Sequence, residues 1–230
     1  MNILTTSLKS LTVLVAGASV AFAQVPSAKT SPPTVSSSPP TATTAASPAT
    51  TSSQPSAAEM QYMMEMSKLN ENHKLLATLV GNWTYSVSMW MAPGAPPDKS
   101  TGTAVCKAIM DGRYFTTENT GSFKMPGADG KMKDMAFKGI ATDGYDNAKK
   151  KFVSSWIDNM GTGIILSEGT YDPATKTLTY TSEYDAMPGV KSKVRQTLKI
   201  TDANHHTLEF FEDRGAGETK TLEIDCTRKK

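Results

Sequence analysis

Gly81-Asn82-Trp83-Thr84-Tyr85-Ser86-Val87-Ser88-Met89-Trp90-Met91 is the stretch that decides the fold. Trp83, Tyr85, Val87, Met89 and Met91 alternate with Thr84, Ser86, Ser88 and Trp90. A period of two is that of a half-buried strand. Upstream of Gly81 the period is different. In residues 58–80, Met66, Leu69, His73, Leu76 and Val80 fall on one stripe at about 100° per residue, which predicts helix. Asn70, three residues before His73, is a candidate N-cap that divides this segment into two short helices. Gly81 stops the helical pattern.

Downstream the strand pattern repeats to the end of the chain. Strand-like runs are expected at 100–110, 113–122, 134–145, 150–158, 162–171, 176–184, 190–201, 206–213 and 218–228. Turn residues separate them: Asp111-Gly112, Pro126-Gly127 through Gly130, Tyr145-Asp146-Asn147, Asn159 through Gly161, Asp172-Pro173, Pro188-Gly189, Asp202 to Asn204, and Gly215 to Gly217. About ten long strands with short connections and no helices between them predict an all-β, antiparallel up-and-down meander. Such a sheet must close into a barrel or split into a sandwich to hide its edges. A closed barrel of that size is wide enough to enclose a ligand.

The N-terminus reads as an export signal. Lys9 is the only charge before Lys29, Ser10 to Val20 are apolar or small, and Ala21-Phe22-Ala23 is a cleavage pattern before Gln24. Residues 1–23 are therefore expected to be a signal peptide, and the mature chain periplasmic or secreted. No later run is apolar enough to span a membrane, so no transmembrane anchor is expected after cleavage. Residues 24–57 are nearly all Pro, Ser, Thr and Ala, the composition of a disordered linker. The working part is then a helical segment at 58–80 and a β domain at 81–230.

Only Lys9 and Lys29, of 24 lysines and arginines, precede residue 58, so the domain carries 22 positive and 22 negative side chains. A domain with no net positive field is not a nucleic-acid binder. Its two cysteines, Cys106 and Cys226, permit one disulfide in an exported protein; two buried thiols are the alternative.

Gly81-Asn82-Trp83, opening the first strand after a short helix, resembles the G-x-W entry of lipocalin-like proteins. In that family the tryptophan closes one barrel end and a late basic residue packs over it, which implies a structural pair of Trp83 and Arg228. More specifically, the chain resembles the domain of unknown function 1579 family. The likeness lies in His73-Lys74-Leu75-Leu76 with Leu79-Val80-Gly81-Asn82-Trp83, Asp111-Gly112-Arg113-Tyr114, Phe137-Lys138-Gly139 and Gly144-Tyr145-Asp146-Asn147. It continues through Trp156-Ile157-Asp158-Asn159-Met160-Gly161-Thr162-Gly163 and Glu168-Gly169-Thr170-Tyr171-Asp172. The resemblance covers about 60–230. It implies a lipocalin-like barrel preceded by one or two short helices, and export in many members, but no known activity. Nitrobindin-like haem barrels are more distant; their glycine-rich entry after the tryptophan is absent here. No cofactor is recognised.

The candidate ligand-binding residues are Trp83, Tyr85 and Trp156 as aromatic walls, with Arg113, Asp158 and His73 as polar groups. Asp158 is equally a turn residue accepting backbone N–H bonds. Arg113 is a partner for an inward acid such as Glu168 or Glu183. His73 lies on the apolar helix stripe, where a packed histidine is the commoner reading. His205 and His206 are expected to face solvent beside a turn. No zinc spacing occurs. Met60, Met63, Met64 and Met66 are four thioethers in one helical stretch: a flexible apolar face, or soft ligands for Cu(I).

No catalytic motif is present, which leans against an enzyme. The favoured function is a barrel binding a small, largely apolar ligand. The alternatives are a hydrolase-like enzyme using barrel-mouth carboxylates, and a Met-rich copper-binding or structural envelope protein.

Overall fold

The computed structural model describes residues 54–127 and 130–230. The expected signal peptide lies outside the described residues, as does the linker up to residue 53. The chain divides at residue 66 into an N-terminal unit and the unit formed by 66–230.

Two helices precede the sheet. Helix α1 (Ala57–Met66) starts at a reciprocal cap: the Ser56 N–H donates to Glu59 Oε2 at 2.7 Å, and the Glu59 N–H donates to Ser56 Oγ at 3.2 Å. Helix α2 (Glu71–Ala77) starts at Asn70. Asn70 Oδ1 accepts the Asn72 N–H at 2.9 Å, and His73 Nδ1 accepts the Asn70 N–H at 3.2 Å. Asn70 therefore caps α2 as its position before His73 suggests, and residues 58–80 form two helices rather than one.

Ten strands follow: β1 (Gly81–Met89), β2 (Asp98–Ile109), β3 (Tyr114–Pro126), β4 (Met132–Asp146), β5 (Lys151–Asp158), β6 (Ile165–Asp172), β7 (Thr177–Met187), β8 (Val190–Asp202), β9 (His205–Asp213) and β10 (Thr219–Arg228). Each pairs antiparallel with its sequence neighbours, and β1 pairs with β10, so the sheet is a closed up-and-down barrel. Closure pairs both edges, and the sandwich alternative falls.

The alternation of β1 sets the inward face. Trp83 and Tyr85 are buried and Thr84 and Ser86 are exposed. Trp83 lies opposite Ala104 and Arg228; Tyr85 lies opposite Gly102 and Cys226. Because α2 enters beside the start of β1, one end of the barrel is closed. Leu76 of α2 packs there with Cys106, Phe115, Phe152, Leu178, Tyr180 and Leu198. The turn after β4 anchors the chain entering α2. Asn147 Nδ2 donates to the carbonyls of Met66 at 2.9 Å and Lys68 at 2.8 Å, and its Oδ1 accepts Asn70 Nδ2 at 2.8 Å.

The last strand completes the closed end. Arg228 sits over the Trp83 ring at 4.2 Å and donates to the carbonyls of Thr78 at 2.8 Å, Val80 at 2.7 Å and Ala203 at 2.8 Å. Thr78 and Val80 follow the C-terminus of α2, where carbonyls lack helical partners and a cation is favoured. Gly81 is required at this junction. Its φ is +144°, and a side chain there would collide with the Arg228 guanidinium.

Candidate functional site

The barrel is packed at one end and looser at the other. Inward side chains of the closed half, such as Phe115, Phe152, Leu178 and Tyr180, are buried. Those of the other half, including Phe123, Phe137, Trp156, Ser167, Ser182 and Phe210, are only half-buried although they face the lumen. In a closed sheet, an inward side chain keeps accessible surface when the lumen beside it is not filled.

Several large aromatics lie along the barrel wall. Trp156 lies against Gly139, Tyr85 against Gly102 and Gly121, and Tyr180 against Gly169, each where any Cβ would collide with the ring. Glycine in a strand marks such a close approach. The Tyr85 hydroxyl is satisfied at the wall, donating to the Thr120 carbonyl at 3.0 Å. Phe137 stacks on Trp156 with centroids 6.2 Å apart and planes at 22°, and Phe123 meets Phe137 edge-on at 6.2 Å. These three rings form an apolar side wall in the mouth half.

A polar stripe crosses the same lumen. Asp143 on β4 lies opposite Ser154 on β5, and Ser154 lies opposite Ser167 on β6. The serines are small, so the stripe is also where the wall is thinnest. Asp143 is deepest, beside Phe115 of the packed half. Burial pushes its carboxyl up to about 6 against a hydrogen bond from Ser154 that acts the other way. Among the described residues Asp143 makes no ion pair.

Two other inward acids lie near the mouth, and both are held. Asp158 Oδ2 accepts the Trp156 indole N–H at 2.8 Å, and its Oδ1 accepts the Met160 N–H at 2.8 Å. Glu212 Oε2 accepts from Arg214 at 2.7 Å, Ser192 at 3.2 Å and Tyr184 at 3.3 Å. Ser192 is fully buried beneath this group.

The other sequence candidates lie elsewhere. Trp83 is in the closed-end core, its indole N–H donating to the Leu79 carbonyl at 2.9 Å. His73 is buried at the start of α2, edge-on to Tyr145 at 5.9 Å. Burial and the Arg113 charge both hold His73 below the usual imidazole range. Arg113 does not meet an inward acid. Asp111 and Gly112 take positive φ, and the chain leaves them with Arg113 directed to the Ser67 carbonyl at 3.4 Å and the Met110 carbonyl at 3.3 Å. Its proposed partners are on the outer wall, Glu168 with Lys149 at 2.6 Å and Glu183 with Lys191 at 2.7 Å.

Cys106 and Cys226 are buried free thiols. They sit on β2 and β10, with β1 between them, opposite Gly81 and Tyr85 respectively. Two strand spacings across the sheet and an offset of four residues along it put them roughly 16 Å apart, beyond the ~7 Å Cα separation a disulfide spans. His206 does not face solvent either. It points inward opposite Cys226 and packs edge-on to Trp83 at 4.3 Å. Burial, with Arg228 nearby, holds it down to about 4, and among the described residues its Nδ1 has no hydrogen-bond partner. His205 is exposed and meets Asp202 at 2.9 Å.

On α1, Met60, Met63 and Met64 are exposed along one groove with Ala57 and Gln61, while Met66 is half-buried at the start of the other unit. Among the described residues no group of three or more His, Cys, Asp or Glu is placed to hold a metal ion, and no helix is long and apolar enough to cross a membrane.

Sequence reading missed Asp143, the serine stripe and Glu212. Asp143 had a usable signal: Phe137, Gly139, Ala141, Asp143 and Tyr145 alternate on one face of β4. The serines had none, because their adjacency depends on register between three strands.

A family model described as a protein of unknown function, DUF1579, matches residues 68–228. No curated protein matches the chain. Among solved structures, an S-type phycobiliprotein lyase from Guillardia theta is 10% identical over 73% of this chain and 97% of its own, with a TM-score of 0.45. A redesigned β-barrel is 12% identical over 68% of this chain and 96% of its own, with a TM-score of 0.34. A protein of unknown function from the DUF3598 family of Nostoc punctiforme is 8% identical over 70% of this chain and 100% of its own, with a TM-score of 0.21.

Proposed function

We propose, for a chain that belongs to the DUF1579 family of proteins of unknown function, that the barrel holds a small, largely apolar ligand in the mouth half of its lumen. One observation carries this reading: inward side chains of that half keep accessible surface inside a closed sheet, beside aromatics laid flat on glycines. An apolar concavity with a few polar groups is the usual form of a small-molecule site. The mouth acids do not favour hydrolysis. Asp158 and Glu212 are each tied by several hydrogen bonds, an arrangement for holding side chains in place rather than moving protons.

Filling the lumen tests the reading. Ser167→Phe places a ring beside Ser154, where the wall has no bulk. The neutral apolar dye N-phenyl-1-naphthylamine should bind the wild-type protein with a rise in fluorescence. The variant should bind it at least tenfold more weakly while its urea midpoint stays close to wild type. Equal dye binding by a folded Ser167→Phe protein, or none by wild type, would place the ligand elsewhere or remove it.

A further inference from the structure

Asp143 is a charged group that the proposed apolar site does not require. It faces the lumen from β4 among Phe115, Ser154, Tyr180 and Cys106. Tyr180 and Cys106 feel its charge, and burial holds both of them in their neutral forms near neutral pH. None of these neighbours is a cation. The basic side chains at the barrel ends are engaged elsewhere: Arg228 with three backbone carbonyls and Trp83, Arg214 with Glu212. Asp143 keeps part of its surface accessible from the lumen, and a carboxylate drawn partly out of bulk water without a counter-charge carries a cost that a ligand bringing the counter-charge recovers. The carboxylate is also not alone in a direction that matters. Ser154 and Ser167 continue from it as cross-strand neighbours toward the mouth, and their hydroxyl oxygens are acceptors.

We propose that Asp143, with Ser154 and Ser167, is the head-group subsite of the lumen, and that its ligand is an apolar molecule bearing a protonated amine. The inference rests on the lumen being the ligand site. An ammonium group has three donors and no acceptor, which matches one carboxylate and two hydroxyl oxygens. The apolar body then runs toward the mouth along Phe123, Phe137 and Trp156, whose faces also favour a cationic ligand on its way in. The same charge rejects fatty acids and other apolar anions, which would put two negative groups together at the bottom of the site.

Octylamine, octanol and octanoate, which share one tail, separate the possibilities when each competes against N-phenyl-1-naphthylamine at pH 8 on the full chain. The expected order is octylamine at least tenfold tighter than octanol, with octanoate weakest. Asp143→Asn should remove at least tenfold of the octylamine preference over octanol, and Ser154→Ala, which keeps the carboxylate, should remove only a small part of it. Cooperative urea unfolding shows that each variant is folded. Octanoate binding as well as octylamine, or an unchanged octylamine-to-octanol ratio in Asp143→Asn, would overturn the subsite. If the dye and octanol bind without any amine preference, the subsite fails and the apolar lumen stands. If the dye does not bind at all, both fail.

Discussion

Alanine in place of Trp83 should lower the stability of the barrel by about 3–5 kcal/mol, the range for truncating a fully buried tryptophan. Trp83 is 3% exposed and joins three elements at the closed end. Its indole N–H satisfies the Leu79 carbonyl, its face carries Arg228 at 4.2 Å, and its edge meets His206 at 4.3 Å. Truncation leaves a cavity, an unpaired carbonyl at the end of α2 and a guanidinium with no ring beneath it. The Arg228 contribution can be separated by a double-mutant cycle with Arg228→Met. A partly exposed cation–ring contact should couple the two by about 1 kcal/mol. Urea denaturation with an unchanged slope is the measurement. A loss below 1 kcal/mol for Trp83→Ala, or two losses that simply add, would mean that the closed end is not held in this way.

The second large effect has the opposite sign and depends on pH. Asp143 has a folded pKa raised from 3.8 to about 6. The stability linked to it is fully present below 3.8 and is lost as pH rises through 6, a loss of about 3 kcal/mol by neutral pH. Asp143→Asn removes that loss. The variant should match wild type near pH 3.5 and exceed it by up to about 3 kcal/mol at pH 7. Surface carboxylates whose pKa values fall on folding, such as Asp172 and Asp202, are common to both proteins and cancel in the difference. His206 opposes Asp143 over nearly the same window. Its folded pKa is lowered from 6.5 to about 4, so its stability is present above 6.5 and is lost as pH falls through 4, again by about 3 kcal/mol. The two groups therefore oppose each other in the wild-type profile between pH 4 and 6.5, and Asp143→Asn should reveal a slope rising with pH that His206→Gln then removes. A stability difference between Asp143→Asn and wild type that does not change with pH would contradict the placement of this carboxylate.

These effects come from residues of unequal visibility in the sequence. The strands were readable because alternation such as Trp83, Tyr85, Val87 depends only on the chain itself, while closure rather than a split sandwich depends on the pairing of β1 with β10. The split at Asn70 was readable because a cap is local. Arg113 was misplaced because three successive positive φ angles before it, Met110 to Gly112, turn the chain, and nothing in Asp111-Gly112-Arg113 says toward what. His206 was misplaced by its neighbour His205, which does face solvent; the parity of Leu208 and Phe210 on β9 would have put it inside. The half-buried state of the inward side chains toward the mouth was not readable at all. Tyr85 over Gly102 and Trp156 over Gly139 are contacts between strands, and whether a large side chain fills a barrel or lies on its wall depends on the residue opposite.

Native mass spectrometry of the protein recovered from its own host, without added ligand or metal, tests the central claim most directly. A bound species of a few hundred daltons is expected on the wild-type protein and absent from folded Ser167→Phe. Its mass should fit an apolar molecule with a basic nitrogen. A bound species retained equally by Ser167→Phe would contradict the lumen as its site, and a bound fatty acid would contradict the role given to Asp143.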